Sequence, residues 1–198
     1  MARTEANIKV ATAPVGASTE LMKTDQTISF RTGDAADLNY GRDASFLVLA
    51  SDNPFGNSNR FTDTLGTQVY ANDIVIDWSN TDGTTIVSGF YRVKQGTNDW
   101  NGAIDGALAF STGGYTSGWY LPNLWEFNSL WKVGGRSLNY IPANGGNSND
   151  RYWTSTTLEG YTNQPAYSSN FFNSGGVPGT QLYYWLPFRR FTYTELGV

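Results

Sequence analysis

The stretch that most restricts this chain is YTSGWYLPNLWEFNSLW, Tyr115 to Trp131, bracketed by Gly113-Gly114 and Gly134-Gly135. It starts as an extended aromatic segment and changes character at Leu121-Pro122, after which Asn123 opens a helix. The Asn123 side-chain oxygen can accept from first-turn amides that have no intrahelical acceptor, and Glu126 stands three residues on, where a capping-box acid reaches back to the cap. Pro122 and Phe127 occupy the two positions of a hydrophobic staple, which fixes the angle at which the chain meets the helix. Leu124, Phe127 and Trp131, at i, i+3 and i+7, share a face that has to be buried. Trp125 points about 160° away from Phe127 at 100° per residue, so another surface, between subunits or domains, is expected to cover it.

Cysteine and histidine are both absent from the 198 residues. The first absence excludes disulfides, thiolate metal sites and cysteine nucleophiles. The second removes the commonest general base at neutral pH, the Ser-His triad and the usual zinc ligand. With 13 Lys and Arg against 17 Asp and Glu, no basic stripe is available to follow a phosphate backbone, which argues against nucleic acid. The longest apolar run, Phe46 to Ala50, is far too short to span a bilayer, and MARTEANIKVATAPV does not read as a signal peptide. Gly (22 residues), aromatics (15%), Asn, Ser and Thr are abundant instead, which suits short strands joined by turn-rich loops.

Residues 1 to 29 carry no core pattern and read as an N-terminal arm that gains structure by docking on another protein, or as a loose terminus. The domain proper, 30 to 198, shows no internal repeat and no linker that would divide it. Strands are expected at Ser45 to Ala50, Thr67 to Tyr70, Asp73 to Trp78, Thr85 to Val93, Tyr152 to Thr157, Ala166 to Phe172 and Leu182 to Thr192. Asn173 to Gly179 is expected to be a turn. A helix capped by Asn98 or Asp99 shows one face of Trp100, Ala103, Ile104, Ala107, Leu108 and Ser111 and ends at Gly113-Gly114. Gly102 and Gly106 inside it weaken the helix by about 1 kcal/mol each relative to Ala, so something is expected to approach its backbone closely there.

Five segments together carry a family resemblance: NRFTDTLGTQVYANDIVIDW (59 to 78), DWNGAIDGALAF (99 to 110), GGYTSGWYLPNLWEFNSL (113 to 130), YWTSTT (152 to 157) and AYSSNFF (166 to 172). In order and spacing the chain from Phe30 to Thr192 resembles the Lcl C-terminal domain family, a branch of the C-type lectin-like fold. The resemblance implies an α+β domain in which two helices pack on a twisted, mainly antiparallel sheet. Long loops supply a variable ligand surface in such a domain. It also implies a place in phage tail or fibre proteins or in bacterial surface proteins. Two positions depart from the family pattern: Tyr120 stands where an Arg is usual, and Phe188 where many members carry a Cys.

Other chemistries fit less well. Formylglycine-generating enzymes share the lectin-like fold but need cysteines. Calcium is not expected: the sugar-coordinating Glu-Pro-Asn and Trp-Asn-Asp motifs are missing, and in the acidic run Asp77 to Asp82 the Gly is misplaced and Ser88 stands where a bidentate Glu belongs. Asn147-Ser-Asn149-Asp150 reads as a turn before it reads as a metal loop. Asp150 with Glu159 is the one carboxylate pair a glycosidase could use. What remains is aromatic and amide-rich, the chemistry of paratopes and sugar-binding surfaces. The expected ligand residues are Tyr140, Asn147, Asn149, Tyr161, Asn163, Asn170 and Phe172, on the loops 139 to 150 and 158 to 165 and the outward side of strand 166 to 172. Trp153 and Phe171 are expected in the core. The sequence is thus read as a non-enzymatic, homo-oligomeric virion protein without cofactor or metal and without membrane insertion. It binds a host-surface glycan or protein and meets other virion proteins through its arm. A purely structural capsid or tail decoration protein and a bacterial adhesin are the alternatives.

Overall fold

The computed structural model describes residues 22–23, 29, 31–34, 42–43, 54–56, 59–70, 72–81, 85–132, 150–157, 165–169 and 173–198. They form an α+β structure, mainly antiparallel, with few helices. The strands are β1 (Met22–Lys23), β2 (Arg42–Asp43), β3 (Phe61–Thr62), β4 (Ile74–Thr81), β5 (Ile86–Tyr91), β6 (Gln95–Asn98), β7 (Trp119–Tyr120), β8 (Arg151–Thr157), β9 (Pro165–Ser169), β10 (Asn173–Gly176), β11 (Tyr183–Trp185) and β12 (Phe188–Thr192). The helices are α1 (Trp100–Leu108), α2 (Leu124–Lys132) and α3 (Tyr193–Leu196).

Two five-stranded sheets carry the architecture. The first has the order β3-β4-β5-β12-β7, antiparallel throughout, and the second β10-β9-β8-β11-β6, with one parallel pair between β8 and β11. In the first sheet Phe188 faces Phe90 on β5 and Tyr120 on β7, so the near-terminal strand β12 is held between two earlier segments of the chain. The first sheet is covered on both faces, as the alternation along β4 requires: Val75 belongs to a core cluster with Phe90, Tyr120 and Phe188, while Ile74, Ile76 and Trp78 belong to another with Trp119 and Phe191. A third cluster joins α1 to the second sheet through Trp100, Ala103, Ile104, Ala107, Trp153 and Trp185.

The helix caps follow from the sequence. Asp99 caps α1 by accepting from Gly102 N (2.7 Å). Asn123 and Glu126 form the reciprocal box at α2: Glu126 N donates to Asn123 Oδ1 (2.8 Å) and Asn123 N donates to Glu126 Oε2 (3.0 Å). Thr156 on β8 adds a third cap, its Oγ1 accepting from Leu124 N (2.9 Å). The glycine inference holds at Gly106, where an added Cβ would stand 2.7 Å from Trp185 Cζ2. At Gly102 the neighbouring atom is the helix's own Asp99 cap, 3.1 Å away.

Several sequence expectations are corrected. Helix α1 stops at Leu108 with Ala109 as its C-cap, leaving Leu108 (40%) and Ser111 exposed. Gly113-Gly114, both with positive φ, instead make the tight turn of a Thr112↔Tyr115 bridge. Thr67 to Tyr70 is not a strand. The Asp63 carboxylate accepts from Leu65 N, Thr67 N and Thr67 Oγ1 and curls this segment into a loop, and Phe61–Thr62 pairs with β4 in its place. The closing strand 182 to 192 is broken at Leu186-Pro187, because proline cannot donate to a ladder; β11 serves the second sheet and β12 the first. Asn173 to Gly176 is a strand, not a turn, and its partner β9 ends at Ser169. Among the described side chains of α2, Glu126, Phe127 and Leu130 are buried and Leu124 is only half-buried; the side chain of Trp131 lies outside the description. The expected strand 45 to 50 lies outside the described residues.

Candidate binding surface

Strand β8 organises the loops that the sequence marks for ligand contact. Arg151 at its start pairs with Ser169 on β9, and Ser169 pairs with Asn173 on β10; at the other end Thr157 pairs with Pro165. Asp150, Arg151, Ser169 and Asn173 therefore stand together at one end of the second sheet. The segment 158 to 164 is anchored at the Thr157 end, about 20 Å of strand away at roughly 3.3 Å per residue. The seven expected ligand residues, Tyr140, Asn147, Asn149, Tyr161, Asn163, Asn170 and Phe172, all lie outside the described residues, as does Phe171. Asp150 is engaged by Lys94, and Glu159 lies outside the described residues.

The Arg151 end carries a polar row that sequence reasoning missed. Tyr183 on β11 pairs with Asn98 on β6, and because Tyr184 faces Tyr152 across the parallel pair, Tyr183 stands beside Arg151. Asn98, Tyr183, Arg151, Ser169 and Asn173 thus occupy one register across all five strands. Arg151 Nη1 donates to the Tyr183 hydroxyl (3.0 Å), and its guanidinium stands 5.6 Å from the ring centroid. Tyr183 packs on Trp153 at 4.8 Å, and Trp153 Nε1 donates to Asn98 O (2.8 Å), so a buried tryptophan fixes two members of the row from beneath. Behind it, Lys94 Nζ binds Asp150 Oδ2 (2.7 Å) and lies 4.1 Å over the Tyr184 ring, holding the end of the 139 to 150 loop. Burial first, then the charges of Asp150 and Tyr184, push the Tyr152 hydroxyl far up, so it stays neutral. Asn98 and Thr97 are exposed, and β6 is an edge strand open to solvent on one side.

Glu126 is the other electrostatic feature, and it is interior. It is fully buried and accepts from the Tyr120 hydroxyl (2.7 Å) as well as from the capping-box amide. Burial raises its pKa to about 7 against the opposing effects of Tyr120, the Asn123 amide and Arg190. Tyr120 thus offers the carboxyl a neutral phenol. Trp153 is fully buried as expected, and Trp125 is 39% exposed on the outer side of α2. Among the described residues no group of three or more acidic side chains is placed to hold a metal ion, and no helix is long and apolar enough to cross a membrane. The row was hidden because its members lie far apart in sequence and share only a strand register. The alternation of exposed Arg151 with buried Tyr152 was the one available signal. No protein-family model matches the chain, and no curated protein matches it significantly.

Proposed function

We propose that the chain is a non-enzymatic binding protein of C-type lectin-like fold, a phage virion component that holds a host-surface glycan or protein at the Arg151 end of its second sheet. The observation that carries the reading is the Asn98–Tyr183–Arg151 row: guanidinium, phenol and amide on a rigid, tryptophan-backed sheet. Aromatic area with adaptable polar groups at its rim is what glycan and protein recognition uses. The lectin-like assignment rests on the sequence resemblance and is supported by the antiparallel pairing of β12 with β5 and by two helices packed against the sheets. In this reading the arm joins the chain to other virion proteins, the assembly is homo-oligomeric, and neither cofactor nor metal takes part. A glycan array probed with the purified chain tests it: saturable binding that EDTA leaves unchanged is expected. Absence of binding to any glycan or to host cells would overturn it.

One observation favours a second reading, a structural capsid or tail decoration protein. The Asp63 loop presents Leu65 and Val69, each 75% exposed, on a framework that is fully hydrogen-bonded at Asp63. A rigid pair of exposed apolar side chains suits packing against a neighbouring subunit. Stoichiometric incorporation into particles without any adsorption phenotype would favour this reading.

A further inference from the structure

We propose that the Asp63 loop, with Leu65 and Val69 at its surface, is a self-association surface whose partner is a second copy of this chain. The inference rests on the homo-oligomeric part of the reading above and is independent of the ligand. Leu65 and Val69, each 75% exposed, are the most exposed large apolar side chains among the described residues.

Their exposure is imposed by the loop. Asp63 N donates to Thr67 O (2.6 Å) and Gly66 N to Asp63 O (3.3 Å), while the Asp63 carboxylate accepts from Leu65 N, Thr67 N and the Thr67 hydroxyl. Gln68 Nε2 donates to Phe61 O (3.5 Å), and Val69 N to Thr67 Oγ1 (3.3 Å). Beneath the turn the Phe55 ring lies so close to Gly66 that a side chain there would collide with it, and Phe55 packs edge-on against the buried Trp78 at 5.7 Å. With Phe55 under the turn and the amides of Leu65, Gly66, Thr67 and Val69 all engaged, the loop cannot fold the two aliphatic side chains inward without breaking these bonds.

The charge pattern selects the partner. The chain carries a net charge of −4, so two copies repel on approach. Residues 64 to 69 are uncharged, and the Asp63 carboxylate is held by three donors. Thr64 stands beside the Tyr115 hydroxyl, which joins the loop to residues 112 to 118, also uncharged. Arg189, whose guanidinium lies 4.8 Å over the Tyr115 ring, is paired with Glu195 (2.7 Å). A charged partner gains nothing on this neutral surface. A second copy meets it there without repulsion and brings the matching pair: across a twofold axis, Leu65 of each copy packs on Val69 of the other. Two aliphatic side chains fall well short of the about 800 Å² that each partner buries in a stable complex. The contact is therefore weak between free chains and gains strength where copies are already held side by side in an assembly.

The absence of cysteine makes a disulfide trap clean. Full-length Leu65→Cys and Val69→Cys chains are mixed in equal amounts and mildly oxidised, beside Leu182→Cys, whose site is 64% exposed and adjoins β11, away from the loop. The mixture is expected to form disulfide-linked dimers severalfold faster than Leu182→Cys, with the mixed dimer in excess over the two like ones. In the unsubstituted chain the Leu65 and Val69 methyl signals should shift with protein concentration up to the millimolar range, and Leu65→Ser should remove the Val69 shift as well. Trapping no faster than in Leu182→Cys, or methyl signals that do not move on dilution, would overturn the proposal. Association that persists with its shifts elsewhere would overturn this surface while the homo-oligomeric reading stands.

Discussion

At pH 7 the folded chain holds Glu126 near the midpoint of its titration, whereas in the unfolded chain the same carboxyl ionises near 4.5. The folded state therefore retains the proton over a range in which the unfolded state has lost it. The stabilisation this gives is fully present below about 4.5, declines as pH rises, and is lost once pH passes about 7. From pH 5 to 8 the protein is predicted to lose on the order of 3 kcal/mol from this group. The chain has no histidine to mask the effect. Glu126→Gln, which preserves the cap's shape, should flatten the profile; urea melts at several pH values in that window check both. A wild-type profile already flat would show that Glu126 is ionised in the fold. The Asn123/Glu126 box was legible in the sequence because both partners lie within one turn. The hydrogen bond from Tyr120 was not, because strand β7 and the turn into α2 must first bring the phenol under the helix.

Element by element, what the chain reveals depends on how local the determinant is. Glycines at 102 and 106 announced a close approach to α1, but not that Trp185 makes it from 79 positions along the chain. Gly106→Ala should lower stability by about 1 kcal/mol or more, since overpacking against the indole outweighs the better helix propensity of Ala. A stabilised variant in urea melts would mean that Trp185 can give way. Pro187 could be read as a break, yet only the sheet topology shows that the break hands the chain from one sheet to the other. The strand expected at Thr67 to Tyr70 failed because alternation along a few residues cannot outweigh a side chain such as Asp63 that satisfies the backbone locally. Trp125, at 39% exposure, fits the outward helical phase. Trp125→Ala is predicted to change thermal stability by less than about 1 kcal/mol while altering association state in sedimentation. A loss of about 3 to 5 kcal/mol would mark it as core.

For the whole molecule, the coarse α+β, mainly antiparallel class and the places of α1 and α2 were legible, the helices because they rest on local caps and 3.6-residue periodicity; α3 was not. The division into two sheets was not, since it depends on pairings between residues scores of positions apart. That division reorders the candidate site. In the sequence the loops before Asp150 and after Thr157 look like neighbours flanking one strand; in the fold that strand separates their anchors. The central claim is that ligand recognition belongs to the Arg151 end. The most direct measurement compares two double variants on the same glycan array and host cells: Asn149→Ala with Asn170→Ala, anchored at the Arg151 end, and Tyr161→Ala with Asn163→Ala, anchored at the Thr157 end. A cooperative urea melt is first required of both variants. The first is predicted to abolish binding and the second to leave it nearly intact. Binding that survives the first variant and disappears in the second would contradict the claim.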